Sequence, residues 1–297
     1  MNTELLLQFL VNGVIIGTLY GVVAMTFVLI YKSTQVVNFA QGEFLLIGAW
    51  VCWAFLVHFE MPFWLGFPLT LVFMFAFGVL LQVVVLRPML GEPIISVIML
   101  TIGLSIVFQA AMSWIFGVFA RPYPQVFETE SVNILGLDVQ PAYLLSFVIS
   151  LLIMVGFFAF FKYSRMGLAM RATAFDQQIA ASMGISVRRV FALAWGISAM
   201  VSAVAGVTVG MVNGVSSALS FFGIKVFPAA ILGGLDSIVG AIVGGLIIGL
   251  LENVAQFVDG EYLNWGNLYN IVPFYVMIVI LMIKPYGLFG TKNIERI

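Results

Sequence analysis

The chain has 297 residues, of which 63% are hydrophobic and 8% charged, with a net charge of −1. A soluble domain carries about a quarter charged residues, so no water-facing surface can be made from this composition and the solvent must be lipid. The near-neutral charge and the lack of a basic tract exclude a nucleic-acid partner.

Windows of roughly 20 apolar residues, the length that crosses a hydrocarbon core, recur along the chain. They predict membrane helices at Gln8–Ile30, Phe44–Phe59, Phe63–Leu86, Ile94–Phe119, Ala142–Phe161, Val190–Met211, Ile238–Val258 and Tyr269–Ile283. The short alternating segments of a transmembrane barrel are missing. Gln8–Ile30 has no cationic region before it and reads as a retained span rather than a signal peptide. The fold class is all-α, a polytopic bundle of about eight to ten membrane helices forming one integral membrane domain over 1–297.

Two further segments, Tyr31–Glu43 and Val215–Leu235, are interrupted rather than polar, and are expected to be broken or re-entrant helices. Such segments survive at membrane depth only inside protein or beside a water-filled cavity. The loop over 162–189 carries Lys162, Arg165, Arg171, Arg188 and Arg189, and the tail carries Lys284, Lys292 and Arg296. The positive-inside rule puts both in the cytoplasm, and puts the acidic 120–141 connection, with Glu128, Glu130 and Asp138, outside. That needs a fourth crossing after the loop, so Val215–Leu235 is expected to cross as a helix broken near Pro228 and Gly233-Gly234. The count becomes nine or ten. If Tyr31–Glu43 crosses too, the N-terminus is cytoplasmic.

Glycines recur every fourth residue at Gly13, Gly17 and Gly21, at Gly206, Gly210 and Gly214, at Gly240 and Gly244, and at Gly245 and Gly249. In lipid such stripes let helices approach closely, and packing within the subunit is their expected use. The two triple-glycine spans each precede an interrupted segment, the pattern of a weak internal duplication. Cys52 sits in an apolar run and reads as packing. His58 ends a span beside Glu60 and reads as an interfacial residue.

Ionisable groups at membrane depth are functional candidates by default. Glu43 follows Asn38-Phe-Ala-Gln41-Gly42, so its alternative reading is a first-turn acid at the interface, favoured by the helix dipole. Lys225 and Asp236 flank an interrupted segment and read as snorkelling to opposite surfaces. Glu252 lies two-thirds along its span and is expected to pair across helices or line an aqueous path. Asn38, Gln41, Gly42, Glu43 and Glu252 are therefore the candidates for a translocation pathway. No phosphate loop of the form Gly-x-x-x-x-Gly-Lys-[Ser/Thr] occurs, because only Lys32 precedes a Ser or Thr and Tyr31 stands where the glycine belongs. Metal-ligand clusters and nucleophile–base pairs are not recognisable. An enzyme is not indicated.

The loop over 162–189 is the exception to the greasy pattern. Leu168, Ala172, Phe175, Ile179 and Met183 fall at spacings of 4, 3, 4 and 4, an apolar stripe that predicts one amphipathic helix over Leu168–Met183. Gly184 is placed to stop it and Ser186 to cap the next helix. Such a helix lies on the membrane surface or docks in a groove of a cytoplasmic partner.

The segment Arg171-Ala-Thr-Ala-Phe-Asp-Gln-Gln-Ile-Ala-Ala-Ser-Met-Gly-Ile-Ser resembles the coupling loop of bacterial ABC importer permeases for branched-chain amino acids, the Liv type. Asn38-Phe-Ala-Gln-Gly-Glu43 looks like that family's Asn-(Phe/Met)-Ala-(His/Gln)-Gly-Glu signature. Leu232-Gly-Gly-Leu-Asp-Ser-Ile-Val-Gly-Ala and the closing Pro285-Tyr-Gly-Leu-Phe-Gly290 resemble its C-terminal patterns. The resemblance implies an inner-membrane permease that works with a second homologous permease, two cytoplasmic ATPase subunits and a periplasmic solute-binding protein. ATP-Mg would bind those partners, and no cofactor would bind this chain. Arg171, Ala172, Thr173, Asp176, Ala180, Ala181, Gly184 and Ile185 would then seat the coupling helix in an ATPase groove. Two departures stand out: Gln41 occupies a position where many members have His, and Asp236 one where a small residue is common. Related permeases carry urea and short-chain amides, and an ion-coupled transporter built on Glu43 and Glu252 is the alternative from another class.

Overall fold

A computed structural model describes residues 3–89, 91–124, 132–134 and 137–291. Eleven α-helices lie among them: α1 Thr3–Thr34, α2 Gln41–Val57, α3 Phe63–Leu81, α4 Ile94–Phe116, α5 Pro141–Tyr163, α6 Arg165–Phe175, α7 Gln177–Ser182, α8 Val187–Asn213, α9 Leu219–Gly233, α10 Ile238–Val258 and α11 Leu268–Ile283. A π-helical turn continues α3 through Gln82–Leu86, and another continues α10 through Asp259–Leu263. Strands β1 Val132–Ile134 and β2 Leu137–Val139 form a small antiparallel hairpin with Val132 opposite Val139. Glu128, Glu130, Lys292 and Arg296 lie outside the described residues.

Each of the eight expected spans falls on a helix. Six of these helices are long and apolar enough to cross a membrane, and α2, α9 and α11 are shorter apolar helices. The Tyr31–Glu43 segment is no separate crossing. Its first residues finish α1, its last begin α2, and the chain leaves the helix only between Gln35 and Ala40. Val215–Leu235 also differs from expectation, because α9 runs unbroken through Pro228. A proline inside a membrane helix costs one backbone hydrogen bond, which neighbouring groups can make good. The interruptions lie at its two ends, at Gly214–Ala218 and, as the Gly233-Gly234 pair led one to expect, just after Gly233. At ~1.5 Å per residue, the 15 residues of α9 cover about 22 Å, less than the ~30 Å hydrocarbon core.

The chain divides into two compact units, one over 1–28, 127–150 and 225–297, the other over 29–126 and 151–224. In the second unit α8 packs on both α2 and α3. Its core gathers Phe44, Ile47, Met74, Leu81, Trp195, Ala199 and Ala203, all buried, with Phe44 edge-on to Trp195 at 6.0 Å. Small residues make this packing possible. A Cβ on Gly48 would stand 2.5 Å from the Cα of Ala203, and one on Gly206 would run into the backbone of Leu45.

In the first unit the glycine stripe of α1 meets that of α10. A Cβ on Gly17 would come within 2.9 Å of the Leu246 Cα, and Gly245 and Gly249 face Gly21 and Gly17 backbone in return. The expected use of these stripes, packing within the subunit, is what the structure shows. Beyond α11 the chain returns to α9, where Leu288 N–H and Phe289 N–H donate to the carbonyls of Leu232 and Gly233 at 2.8 and 3.1 Å.

This packing predicts a contrast between two glycine substitutions. Gly17→Val forces two backbones apart and should lower stability by about 1–3 kcal/mol. Gly103→Ala meets no neighbour within 4 Å and should be neutral or slightly stabilising. Thermal unfolding of the purified protein in detergent, read as the fraction still monodisperse after heating, checks both.

Candidate functional site

The Gln35–Ala40 break exists because local side chains replace the helix. Thr34 folds its hydroxyl back to the Ile30 carbonyl at 2.7 Å, and Gln35 takes a left-handed backbone with φ 58°. Asn38 then restarts the chain. Its Oδ1 accepts from Ala40 N–H at 3.1 Å, and its Nδ2 donates to Gln41 Oε1 at 3.1 Å. Asparagine is suited to this, since its side chain mimics a backbone turn.

Gln41 opens α2 and points into α8. Its amide nitrogen donates to Ser202 Oγ at 2.7 Å and to Ser198 Oγ at 3.1 Å, two serines one helical turn apart. Gly42 is needed for close approach, because a Cβ there would collide with the Ser220 carbonyl and crowd Gly223. Glu43 completes the group. Its carboxylate accepts from Ser105 Oγ at 3.1 Å on α4 and from Ser220 Oγ at 2.9 Å on α9, and the residue is 3% exposed. Glu43 does stand in the first turn of α2, as its alternative reading has it, but its carboxylate is buried within the protein. The helices on either side of it enclose the carboxylate, so it meets protein hydroxyls instead of water.

Ser105 belongs to a pattern that sequence reasoning missed. Thr101, Ser105, Gln109 and Ser113 fall every fourth residue along α4, a helix otherwise largely apolar and exposed. Thr101 donates toward the Val37 carbonyl at 3.4 Å, and Ser113 and Ser217 share a hydrogen bond at 3.3 Å. The four residues thus line one face next to both helix breaks. The signal was present as a period-four polar series in an apolar helix. The second break is pinned by a two-way backbone bridge between Arg121 and Val215, each bond 2.9 Å.

In the first unit, Glu252 of α10 accepts from Tyr20 OH at 2.6 Å and pairs with Lys225 Nζ of α9 at 2.5 Å. The ammonium also lies 5.1 Å from the centre of the Tyr269 ring. Pairing across helices was one of the two expectations for Glu252, and the structure shows it. Lys225 does not snorkel. It sits seven residues into α9, and its ammonium pairs with the Glu252 carboxylate across the helices. Asp236, in the turn between α9 and α10, instead accepts from the backbone and hydroxyl of Thr291 and ties down the returning tail.

The polar loop forms two helices rather than one. Ser164 caps α6 by accepting from Gly167 N–H at 2.8 Å. Asp176 ends α6 with an extended backbone and starts α7 by accepting from Gln178 N–H and Ile179 N–H, both at 2.8 Å. Aspartate gains more as a cap than in a helix interior, so the single helix expected over Leu168–Met183 divides there. Gly184, with φ 84°, then closes α7. Its N–H reaches the Ala181 carbonyl and Ile185 N–H reaches that of Ala180, both at 3.0 Å, the paired bonds of a Schellman end. Ser186 occupies the cap position of α8 but makes no side-chain cap bond.

The expected apolar stripe is real and open. Leu168, Phe175, Ile179 and Met183 are all exposed, Phe175 by 90%. Of the residues expected to seat a partner, Arg171, Ala181 and Gly184 are exposed, Ala172, Asp176 and Ile185 are half-buried, and Thr173 and Ala180 are buried. Cys52 is buried, and His58 ends α2 exposed.

The family model for the branched-chain amino acid transport system permease component matches residues 9–281. The chain belongs to this family. It is a transport subunit, not an enzyme. The high-affinity branched-chain amino acid transport system permease protein LivH of Escherichia coli K12 is 32% identical over 98% of this chain and 97% of its own. BraD, the corresponding permease protein of Pseudomonas aeruginosa, is 32% identical over 98% of both chains. Among solved structures, PsaBC from Streptococcus pneumoniae in complex with Fab matches with a TM-score of 0.55 at 20% identity, covering 94% of this chain and 92% of that one. That likeness concerns the fold.

Within this branched-chain permease, the Lys225–Glu252 pair carries a testable cost. Glu252→Gln strands a largely buried ammonium and should destabilise by about 3–5 kcal/mol. The double change Lys225→Met/Glu252→Gln removes both charges and should recover most of that loss. Thermal unfolding in detergent measures it, and a double variant no more stable than Glu252→Gln would contradict the pairing.

Proposed function

We propose that this chain is a permease subunit of an ATP-driven importer in the bacterial inner membrane, carrying branched-chain or related amino acids. The match to the branched-chain permease family over residues 9–281 is the observation that carries this reading. ATP-Mg is bound and hydrolysed by two separate cytoplasmic ATPase subunits. A second homologous permease completes the pathway, and a periplasmic binding protein delivers the solute. The relatives' names supply the class of cargo.

The α6–α7 loop is the part of the chain suited to receive force. It is capped at Ser164, at Asp176 and at Gly184, and so holds its shape without a partner. Its exposed apolar residues, Phe175, Ile179 and Met183, sit among Arg171, Gln178 and Ser182, the mixture of an amphipathic helix that inserts in a protein groove. Both ends run into spans, α5 and α8, so movement of a docked ATPase is passed into the membrane. In this reading Arg171, Ala172, Thr173, Asp176, Ala180, Ala181, Gly184 and Ile185 form the docking segment. The pathway candidates are Asn38, Gln41, Gly42, Glu43 and Glu252.

Proteoliposomes holding the full complex should accumulate leucine only with ATP, and an imposed proton or sodium gradient without ATP should drive nothing. Uptake by this chain alone under such a gradient would overturn the reading.

Burial also selects the variants that test docking. Ala180 is buried and Gly184 has a positive φ, so a bulky residue at either site disturbs the loop itself. Phe175→Asp and Ala181→Trp alter exposed positions. Each should reduce ATP-dependent uptake by about 10-fold or more, the loss of roughly 1.4 kcal/mol of coupling, while membrane insertion and monodispersity stay unchanged. Uptake at the parental level in both variants would count against docking through this face.

A further inference from the structure

Residues 117–123 leave the end of α4 on the side that the positive-inside rule assigns to the outside. They run exposed as far as Pro122, and Tyr123 is buried. The segment is fastened at three places. Arg121 exchanges two backbone bonds of 2.9 Å with Val215, inside the 214–218 break between α8 and α9. Its guanidinium lies 5.4 Å from the centre of the Trp53 ring on α2, and the Trp53 indole N–H donates to the Pro122 carbonyl at 3.1 Å. Tyr123 reaches further in. Its hydroxyl donates to the Ala49 carbonyl of α2 at 3.1 Å, and its ring lies so close to α8 that a Cβ on Gly210 would stand 3.2 Å from it.

These fastenings join helices with unequal holds on the protein. Within their apolar windows, 78% of α8 is buried but only 11% of α4. α4 leans on the core through Leu100, Leu104, Phe108 and Met112, each followed in sequence by one of the polar series Thr101, Ser105, Gln109 and Ser113. Its outer end is held by Phe116, stacked on Trp50 at 4.6 Å, and by the 117–123 segment.

Both of the segments joined at the Arg121–Val215 bridge start at a glycine joint. Gly117 ends α4 with φ 89° and Gly214 ends α8 with φ 76°, left-handed conformations that glycine adopts without steric penalty. A Cβ on Gly117 would meet nothing within 4 Å, so conformation and not space calls for glycine there. Hinges are built from a few residues of this kind, at element ends, that absorb large changes in φ and ψ. The Trp53–Pro122 bond is exposed, and water can replace it when it parts.

We propose that residues 117–123 form an outer clasp, which fastens the ends of α2, α4 and α8 together and must open for solute to enter from outside. This rests on the importer reading, which supplies the direction of entry. While the clasp is shut, main-chain bonds tie the outer end of α4 to the break before α9. Opening turns the Gly117 joint, parts the Arg121–Val215 bridge and the Trp53–Pro122 bond, and frees α4, the least buried of the three helices, to swing with its polar series.

The bridge is also the place to lock the clasp. A hydrogen-bonded antiparallel pair has its Cα atoms about 5.5 Å apart, within the ~4.4–6.8 Å that a disulfide spans. Arg121→Cys/Val215→Cys, in the full complex reconstituted in vesicles, should therefore form a disulfide on mild oxidation. Cys52 is buried and stays in place, and the single variants Arg121→Cys and Val215→Cys account for any part it takes. Oxidation of the double variant should lower ATP-driven leucine uptake about 10-fold or more, as expected when a required opening is blocked. Reduction should restore uptake. Equal uptake by the locked and reduced forms would overturn the clasp.

If the reduced double variant itself transports nothing, the rate of disulfide formation decides. That rate reports how often the bridge is shut. It should change about threefold or more when a non-hydrolysable ATP analogue shifts the complex between its states, and an unchanged rate would overturn an opening clasp. The importer reading fails separately. Leucine uptake driven by an ion gradient instead of ATP, yet still blocked by the disulfide, would overturn that reading alone. ATP-driven uptake indifferent to the disulfide would overturn the clasp alone.

Discussion

A membrane chain that leaves the helix must find partners for its freed backbone groups inside the protein, because lipid supplies none. This constraint organises the part of the molecule around Glu43. At the first break, Thr34 and Asn38 satisfy the backbone with their own side chains. At the second, Arg121 and Val215 exchange both of their backbone bonds. The polar residues near the breaks, Gln41 with Ser198 and Ser202, and Ser113 with Ser217, then satisfy one another. A polar network at this depth is first a condition for breaking the helices at all, and it also leaves one carboxylate enclosed by protein.

The glycines serve the same end by a different route. With no hydrophobic drive between helices in lipid, attraction comes from close dispersion contact and interhelical hydrogen bonds. Gly48 and Gly206 bring α2 and α8 together closely enough for Gln41 to reach Ser198 and Ser202. Gly17, Gly245 and Gly249 do the equivalent for α1 and α10, and Tyr20 on the same stretch of α1 reaches Glu252. In each unit a small-residue contact precedes a polar one. Larger side chains would hold these helices apart and leave their polar groups unsatisfied.

Much of this was legible in the sequence, and most of the failures come from tertiary contacts that no local pattern announces. Long apolar windows located all six of the helices long and apolar enough to cross a membrane, because length and composition decide that property with no tertiary information needed. The glycine spacing announced packing for the same reason. Lys225 was misread because only tertiary contact reveals that Glu252, 27 residues away, stands opposite it. Glu43 was placed at an interface because nothing local says that α4 and α9 cover it. The break expected at Gly233-Gly234 is there, but the one expected at Pro228 is not, since proline inside a packed helix is tolerated where proline in an isolated one is not. Asp176 was a purely local miss. Its capping role before Gln177-Gln178 was readable, but the apolar spacing across it was given more weight.

The two acids at depth show how a membrane protein can treat the same chemistry in opposite ways. Glu252 has a lysine, a tyrosine hydroxyl and an aromatic ring arranged around the pair, so its charge is compensated within the chain. An arrangement of this kind ties helices together through a compensated charge. Glu43 has two hydroxyl donors and the starts of two helices around it and no ion-pair partner among the described residues, so its burial is offset by hydrogen bonds and dipoles alone.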